Sequence, residues 1–210
     1  MASDLRIKAR KIVHELKRLS PKTKIALHYS NPWELLVAVV LSAQTTDKKV
    51  NEVTAKLFSA KGGKYRTFED YLKADLKDFQ NDIKQIGLYR GKAKNILATA
   101  KILKEKYRGK IPRTMEELVE LPGVGRKTAN IILGNAYGIV EGIAVDTHVR
   151  RLSKLFGLTK HDDPVKIEKD LMMLLPKKEW FKFTYRMIDY GRKYCTARCK
   201  HENCPLRKFI

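Results

Sequence analysis

The chain has 210 residues, of which 44 are Lys or Arg and 23 are Asp or Glu, a formal net charge of +21 with a pI near 9.9. With 43% hydrophobic residues recurring at helical spacing, the composition excludes a disordered chain and allows one large domain or two small ones. The longest apolar run, Leu35 to Leu41, is far shorter than the roughly 20 residues of a membrane-spanning helix.

The first segment, MASDLRIKARKIVHELKRL, places Leu5, Ile12, Val13, Leu16 and Leu19 on one stripe and lacks the apolar core of a signal peptide. It predicts an amphipathic helix over 4–19, stopped by Ser20-Pro21, in an intracellular, cytoplasmic protein. After Asn31-Pro32, WELLVAVVLSAQ is apolar on all sides and long for a strand, which predicts a buried helix. Thr46 or Asp47 caps a further helix to about Ala60, and Gly62-Gly63 is a turn. Two short helices fill 68–85, and Gly87 separates them from a longer one running from about Lys92 to Tyr107. Thr114-x-x-Glu117 is a capping box for a short helix to about Leu121, and Pro122-Gly123-Val124-Gly125 turns the chain into a helix starting at Arg126. Later helices are expected at 147–156, 164–174 and 178–192. No segment shows sustained period-2 alternation, so the fold class is all-α.

A charge of +21 predicts attraction to a polyanion, and nucleic acid is the commonest one inside cells. Gly123 and Gly125 free the backbone and leave N–H groups unshielded at a helix start, where Arg126 and Lys127 complete a phosphate site. A Gly-rich turn by itself usually just joins two helices, so the hairpin gains meaning only from its surroundings. About twenty residues downstream, Asp146 in GIAVDTHVR has the position of a helix N-cap. A carboxylate there also suits stabilisation of positive charge developing on a sugar. Lys127, read from charge alone, is one more phosphate-facing cation. The scarcity of Gln, three residues beside abundant Lys, leans toward a thermophilic source.

Four ordered segments, LLVAVVLSAQTTD, IKQIGLYRGKAKNI, LPGVGRKTAN and AVDTH, resemble the endonuclease III family of helix-hairpin-helix DNA glycosylases over roughly residues 5–208. The resemblance implies two helical domains, residues 31–137 and residues 1–30 with 138–210, with a DNA groove between them. It implies a bifunctional glycosylase and AP lyase acting as a monomer on double-stranded DNA that carries damaged bases, oxidised pyrimidines among them, or abasic sites. The family's nucleophile corresponds to Lys127, whose amine attacks only when neutral, which calls for a desolvated setting beside Arg126. The family's assisting carboxylate corresponds to Asp146. Gln44 and Leu88 match the two side chains that fill the gap left by an extruded base. Their plain alternatives are a helix C-cap for Gln44 and a core position for Leu88.

The family's C-terminal [4Fe–4S] pattern, C-x6-C-x2-C-x5-C, is broken here. The tail CTARCKHENCPLRKFI supplies Cys195, Cys199 and Cys204, and Ile210 stands where the fourth Cys belongs. Three Cys cannot complete a tetrathiolate site, so the sequence ranks a metal-free tail first, with no cofactor required for the chemistry. A cluster with His201 as an unusual fourth ligand comes second, and a Cys3His zinc site third. Two other functions compete: a monofunctional mismatch or adenine glycosylase, disfavoured by Lys127, and a non-catalytic hairpin clamp, which needs no Asp146.

Overall fold

Short-range capping chemistry sets most helix boundaries in the computed structural model, which describes residues 2–59 and 62–210. Helix α1 spans Ala2–Leu19. Helix α2, Pro32–Ser42, starts where Asn31 Oδ1 accepts the Glu34 N–H at 3.0 Å and Pro32 occupies the first turn. Thr46 accepts the Lys49 N–H at 3.3 Å to open α3, Asp47–Phe58, and the expected end at Ala60 lies outside the described residues. Helices α4, Phe68–Lys73, and α5, Leu76–Asp82, are the two short elements. Helix α6 runs Tyr89–Tyr107, three residues earlier than its apolar stripe indicated. Leu88 takes the N-cap position in a left-handed conformation, so the loop before it is tighter than Gly87 alone suggested.

Helix α7, Met115–Val119, is capped by Thr114 Oγ1 on the Glu117 N–H at 3.3 Å. Only half the expected capping box forms, because the Glu117 carboxylate accepts from the Thr114 hydroxyl at 2.9 Å. Helices α8, Arg126–Tyr137; α9, Thr147–Leu155; α10, Pro164–Leu174; α11, Lys177–Lys193; and a 3₁₀ turn, Arg207–Phe209, complete the described elements. No strand occurs among the described residues. None of the described helices is long and apolar enough to cross a membrane.

The chain divides into two compact units. The continuous unit, Ala26–Ile139, buries α2 on all sides, with Leu35, Leu36, Val37, Ala38 and Leu41 at zero exposure, and packs it against α3, α6 and α8. An aromatic cluster flanks that helix: Trp33 meets Phe68 and Tyr71 edge-on at 5.1 and 5.0 Å, and Tyr65 meets Phe79 at 4.9 Å. The split unit joins the segment up to Ile25 with Val140–Ile210. Its core brings Ile12 and Leu16 of α1 together with Val149, Leu152, Phe156, Leu171, Phe183 and Met187. Lys17 reaches Glu179 at 2.6 Å, and the buried Arg186 holds the same carboxylate from the other side at 3.1 Å, so an ion triad pins α1 to α11. Burial raises the Glu179 pKa, but the Lys17 hydrogen bond and charge, followed by Arg186, outweigh it and leave the carboxyl below its ordinary value.

Candidate active site and metal centre

The hairpin of the continuous unit is held from below. Leu121 and Val124 point into the core, Val124 N–H bonds the Leu121 carbonyl at 3.0 Å, and Thr99 Oγ1 of α6 donates to the Pro122 carbonyl at 3.2 Å. Gly123 adopts φ +79°, and a Cβ there would stand 2.9 Å from Asn95 Nδ2. Gly125 differs from expectation: its φ of −89° is open to any residue, and no atom lies within 4 Å of where its Cβ would be. What its missing side chain contributes is access. Gly125 is the N-cap of α8 without a side-chain cap bond, and no acidic residue occupies the first turn, so the leading N–H groups and the positive dipole end face an open surface.

Lys127, in that first turn, is exposed. The desolvated setting expected for it is absent from the folded chain itself, because the second residue of a surface helix projects away from the core that holds Ala129, Ile132 and Leu133.

Gln44 and Leu88 are both exposed and both left-handed, with φ 54° and 58°. Helix α2 ends at Ser42 with Ala43 as C-cap, so Gln44 lies beyond the cap position, and Leu88 at 63% exposure is no core residue.

Asp146 belongs to the split unit, at the N-cap of α9, where its Oδ1 accepts the Val149 N–H at 2.8 Å. The strap leading to it is fixed by buried polar bonds: Ile143 N–H to Glu168 Oε1 at 3.2 Å and Thr184 Oγ1 to the Ala144 carbonyl at 3.0 Å. One carboxylate oxygen is thus spent on the helix, and the side chain is only half-buried.

The C-terminal tail gathers four donors. Cys195, Cys199, His201 and Cys204 place one ligand atom each within 4.8 Å of one another. Cys199 and Cys204 Sγ are 3.2 Å apart as separate thiols, and His201 Nδ1 stands 3.4 Å from Cys195 Sγ and 3.8 Å from Cys204 Sγ. His201 itself is left-handed, φ 65°, which turns its ring inward and its N–H onto Cys199 Sγ at 3.3 Å. Arg151 bonds the Cys195 carbonyl at 2.6 Å and approaches its sulfur at 3.7 Å. The Cys204 hydrogen bond lowers the Cys199 thiol pKa, while burial, followed by its sulfur neighbours, raises that of Cys204. Three thiolates this close repel one another unless a cation lies among them, so the donor set fits a metal–thiolate centre of Cys3His composition. The expectation of a metal-free tail, with a cluster doubted because Ile210 replaces the fourth Cys, is therefore corrected. His201, which the sequence offered as a fourth donor only behind the metal-free reading, is brought to the three thiols by a tight turn within the same loop.

Residues 37–177 match the model for HhH-GPD superfamily base excision DNA repair proteins. The chain belongs to that superfamily. Within this helix-hairpin-helix group, Endonuclease III of Bacillus subtilis (strain 168) is 50% identical over 190 residues, covering 89% of this chain and 84% of that protein. Endonuclease III of Synechocystis sp. is 44% identical over 191 residues, 91% of this chain and 85% of that protein. The structure of a trapped Endonuclease III–DNA covalent intermediate superposes with TM-score 0.91 at 45% identity, over 97% of this chain and 94% of that one.

Lys92 escaped the sequence reading. It is 6% exposed, and its Nζ donates to the carbonyls of Leu41, at 2.8 Å, and Ala43. The signal was present: Lys92, Ile96, Thr99, Ala100 and Leu103 share the buried stripe of α6 at spacings of a helical face.

Proposed function

We propose that this bifunctional DNA glycosylase and AP lyase of base excision repair removes oxidised pyrimidines and opens abasic sites, with Lys127 as nucleophile and Asp146 as assisting carboxylate. The carrying observation is the uncapped start of α8: it offers N–H groups and Arg126 to a phosphate while Lys127 stands exposed in the same turn. The 45% identical relative caught as a covalent intermediate with DNA supports a nucleophilic enzyme, and the lesion class rests on the family resemblance.

In the free chain Lys127 faces water. Docking of DNA over the hairpin removes that water and brings the amine to the sugar. The Nζ electron pair forms a bond to sugar C1′ while the C1′–base bond breaks, and the base leaves with the electron pair of that broken bond and takes up a proton. The new amine then loses its protons as the C1′–O4′ bond opens and O4′ is protonated, which gives the Schiff base. Asp146 stabilises the positive charge on the sugar as the base departs. Loss of a proton from C2′ of the resulting Schiff base expels the 3′ phosphate, and hydrolysis returns Lys127. Gln44 and Leu88 fill the space of the extruded nucleotide, and Gly123, Gly125 and Arg126 grip the backbone.

A metal–thiolate centre, where bound, would be held by Cys195, Cys199, Cys204 and His201 Nδ1 and would cross-link the tail to the end of α11. As an enzyme of genomic DNA, the protein acts where the chromosome is, in the cytoplasm or nucleoid.

The test is borohydride trapping on a duplex with one thymine glycol or one abasic site. Wild type gives a covalent adduct, Lys127→Gln binds DNA without forming one, and Asp146→Asn forms it slowly from the thymine glycol duplex. Strand cleavage retained by Lys127→Gln would remove Lys127 as nucleophile. No adduct from wild type would move the protein to the monofunctional glycosylases.

A further inference from the structure

The ammonium of Lys92 lies between two loops that each present one exposed, left-handed residue. On one side it caps the C-terminal end of α2, donating to Leu41 O at 2.8 Å and to Ala43 O, two carbonyls that have no further helical turn to bond. It also reaches Thr45 Oγ1 at 3.4 Å. That hydroxyl accepts the Gly87 N–H at 3.1 Å from the other loop. Gly87 is close enough to its neighbour that a Cβ would stand 3.0 Å from the Gln44 carbonyl. A second tie joins Lys49 Nζ to Gln85 Oε1 at 3.4 Å.

We propose that Lys92 is a positioning residue for base extrusion: by tying 41–45 to 87–92 it makes Gln44 and Leu88 one rigid two-pronged wedge. The proposal rests on the reading of Gln44 and Leu88 as the gap-filling side chains. A left-handed backbone costs about 1 kcal/mol or more per non-glycine residue, so two adjacent loops hold it only where surrounding bonds determine the conformation. Here those bonds converge on one buried ammonium and the hydroxyl beside it. A preformed wedge enters the duplex without first losing loop freedom, which lowers the cost of unstacking the target. Burial pushes the Lys92 pKa down to about 8, and the carbonyls that receive its N–H bonds favour the charged form in turn.

The experiment compares Lys92→Met and Thr45→Val with wild type on three readouts: single-turnover excision from a thymine glycol duplex, fluorescence of a 2-aminopurine placed beside the lesion, and strand cleavage at an abasic site in a single-stranded oligonucleotide. The single strand has no stacked gap to fill, so it reports the chemistry without the wedge. Both variants are expected to lose about tenfold in the duplex rate, and the 2-aminopurine signal with it, as a slight misplacement does elsewhere. Single-strand cleavage should stay within about twofold of wild type. Should Lys92→Met fail to fold, Thr45→Val carries the test, since it removes only the hydroxyl link. Equal losses on duplex and single strand would make Lys92 merely structural, and an unchanged duplex rate would overturn the proposal. Gln44→Ala and Leu88→Gly are run in parallel. If they leave the duplex rate intact, the wedge reading itself fails; if they lower it while the Lys92 and Thr45 variants do not, only the role of Lys92 fails.

Discussion

At Gly123 an added methyl group would collide with Asn95 while the backbone is held at φ +79°, and at Gly125 it would meet nothing. Gly123→Ala should therefore cost about 1–2 kcal/mol of stability through strain alone. Gly125→Ala should stay within about 0.5 kcal/mol in a thermal melt yet raise the Kd for an abasic duplex about fivefold, by shielding the N–H groups proposed to meet a phosphate. Equal destabilisation of the two variants would refute this separation of roles. The sequence presented both glycines as equivalent, because a Gly-x-Gly pattern carries no φ value. Lys92 was hidden for a related reason. Its position on the apolar stripe was visible, but its partners are carbonyls some fifty residues away, and only the packing of α2 on α6 brings them together.

Helix ends were legible wherever the stop signal is a neighbour in the chain. Asn31-Pro32 and Thr46 bound their helices as expected, and α10 begins at the expected position 164, where Asp163 accepts the Lys166 N–H at 2.9 Å. Bonds between elements were not legible, and the triad of Lys17, Glu179 and Arg186 is the strongest example. Glu179→Gln leaves the buried Arg186 without its carboxylate, an expected loss of about 3 kcal/mol. The half-exposed Lys17 adds little to that figure. Since the folded carboxyl lies below its unfolded value of 4.5, the triad's contribution is complete above that pH and fades as the pH falls through the depressed folded value. The variant should accordingly show a flatter decline of Tm with acid than wild type. The tail obeys the same logic of long-range assembly. A strong chelator, or Cys195→Ser, should lower Tm, at about 2–4 °C per kcal/mol for a chain of this length, and elemental analysis should find stoichiometric metal in the untreated protein. An unchanged melt together with no metal would mark the four donors as an unmetallated cluster.

Over the whole molecule the dominant quantity is the charge of +21, legible in the sequence without any fold. It predicts that affinity for duplex DNA falls steeply with salt. A footprint of about six phosphates gives a slope of log K against log salt near −5, and a shallow slope would show that the cations are not gathered on the DNA. Arg126→Ala should reduce that slope by about one.

The division of the chain also has a consequence in time. The continuous unit, Ala26–Ile139, is a single uninterrupted stretch of chain, so it can fold while synthesis proceeds. Helix α1 cannot settle then, because Lys17 waits for Glu179, 162 residues later, and the same core also awaits Leu206 and Phe209. At about 5–20 residues per second that delay is roughly ten to thirty seconds. While its last residues are still being made, the nascent chain would thus carry a folded continuous unit, hairpin and exposed Lys127 included, and a split unit whose core is still incomplete.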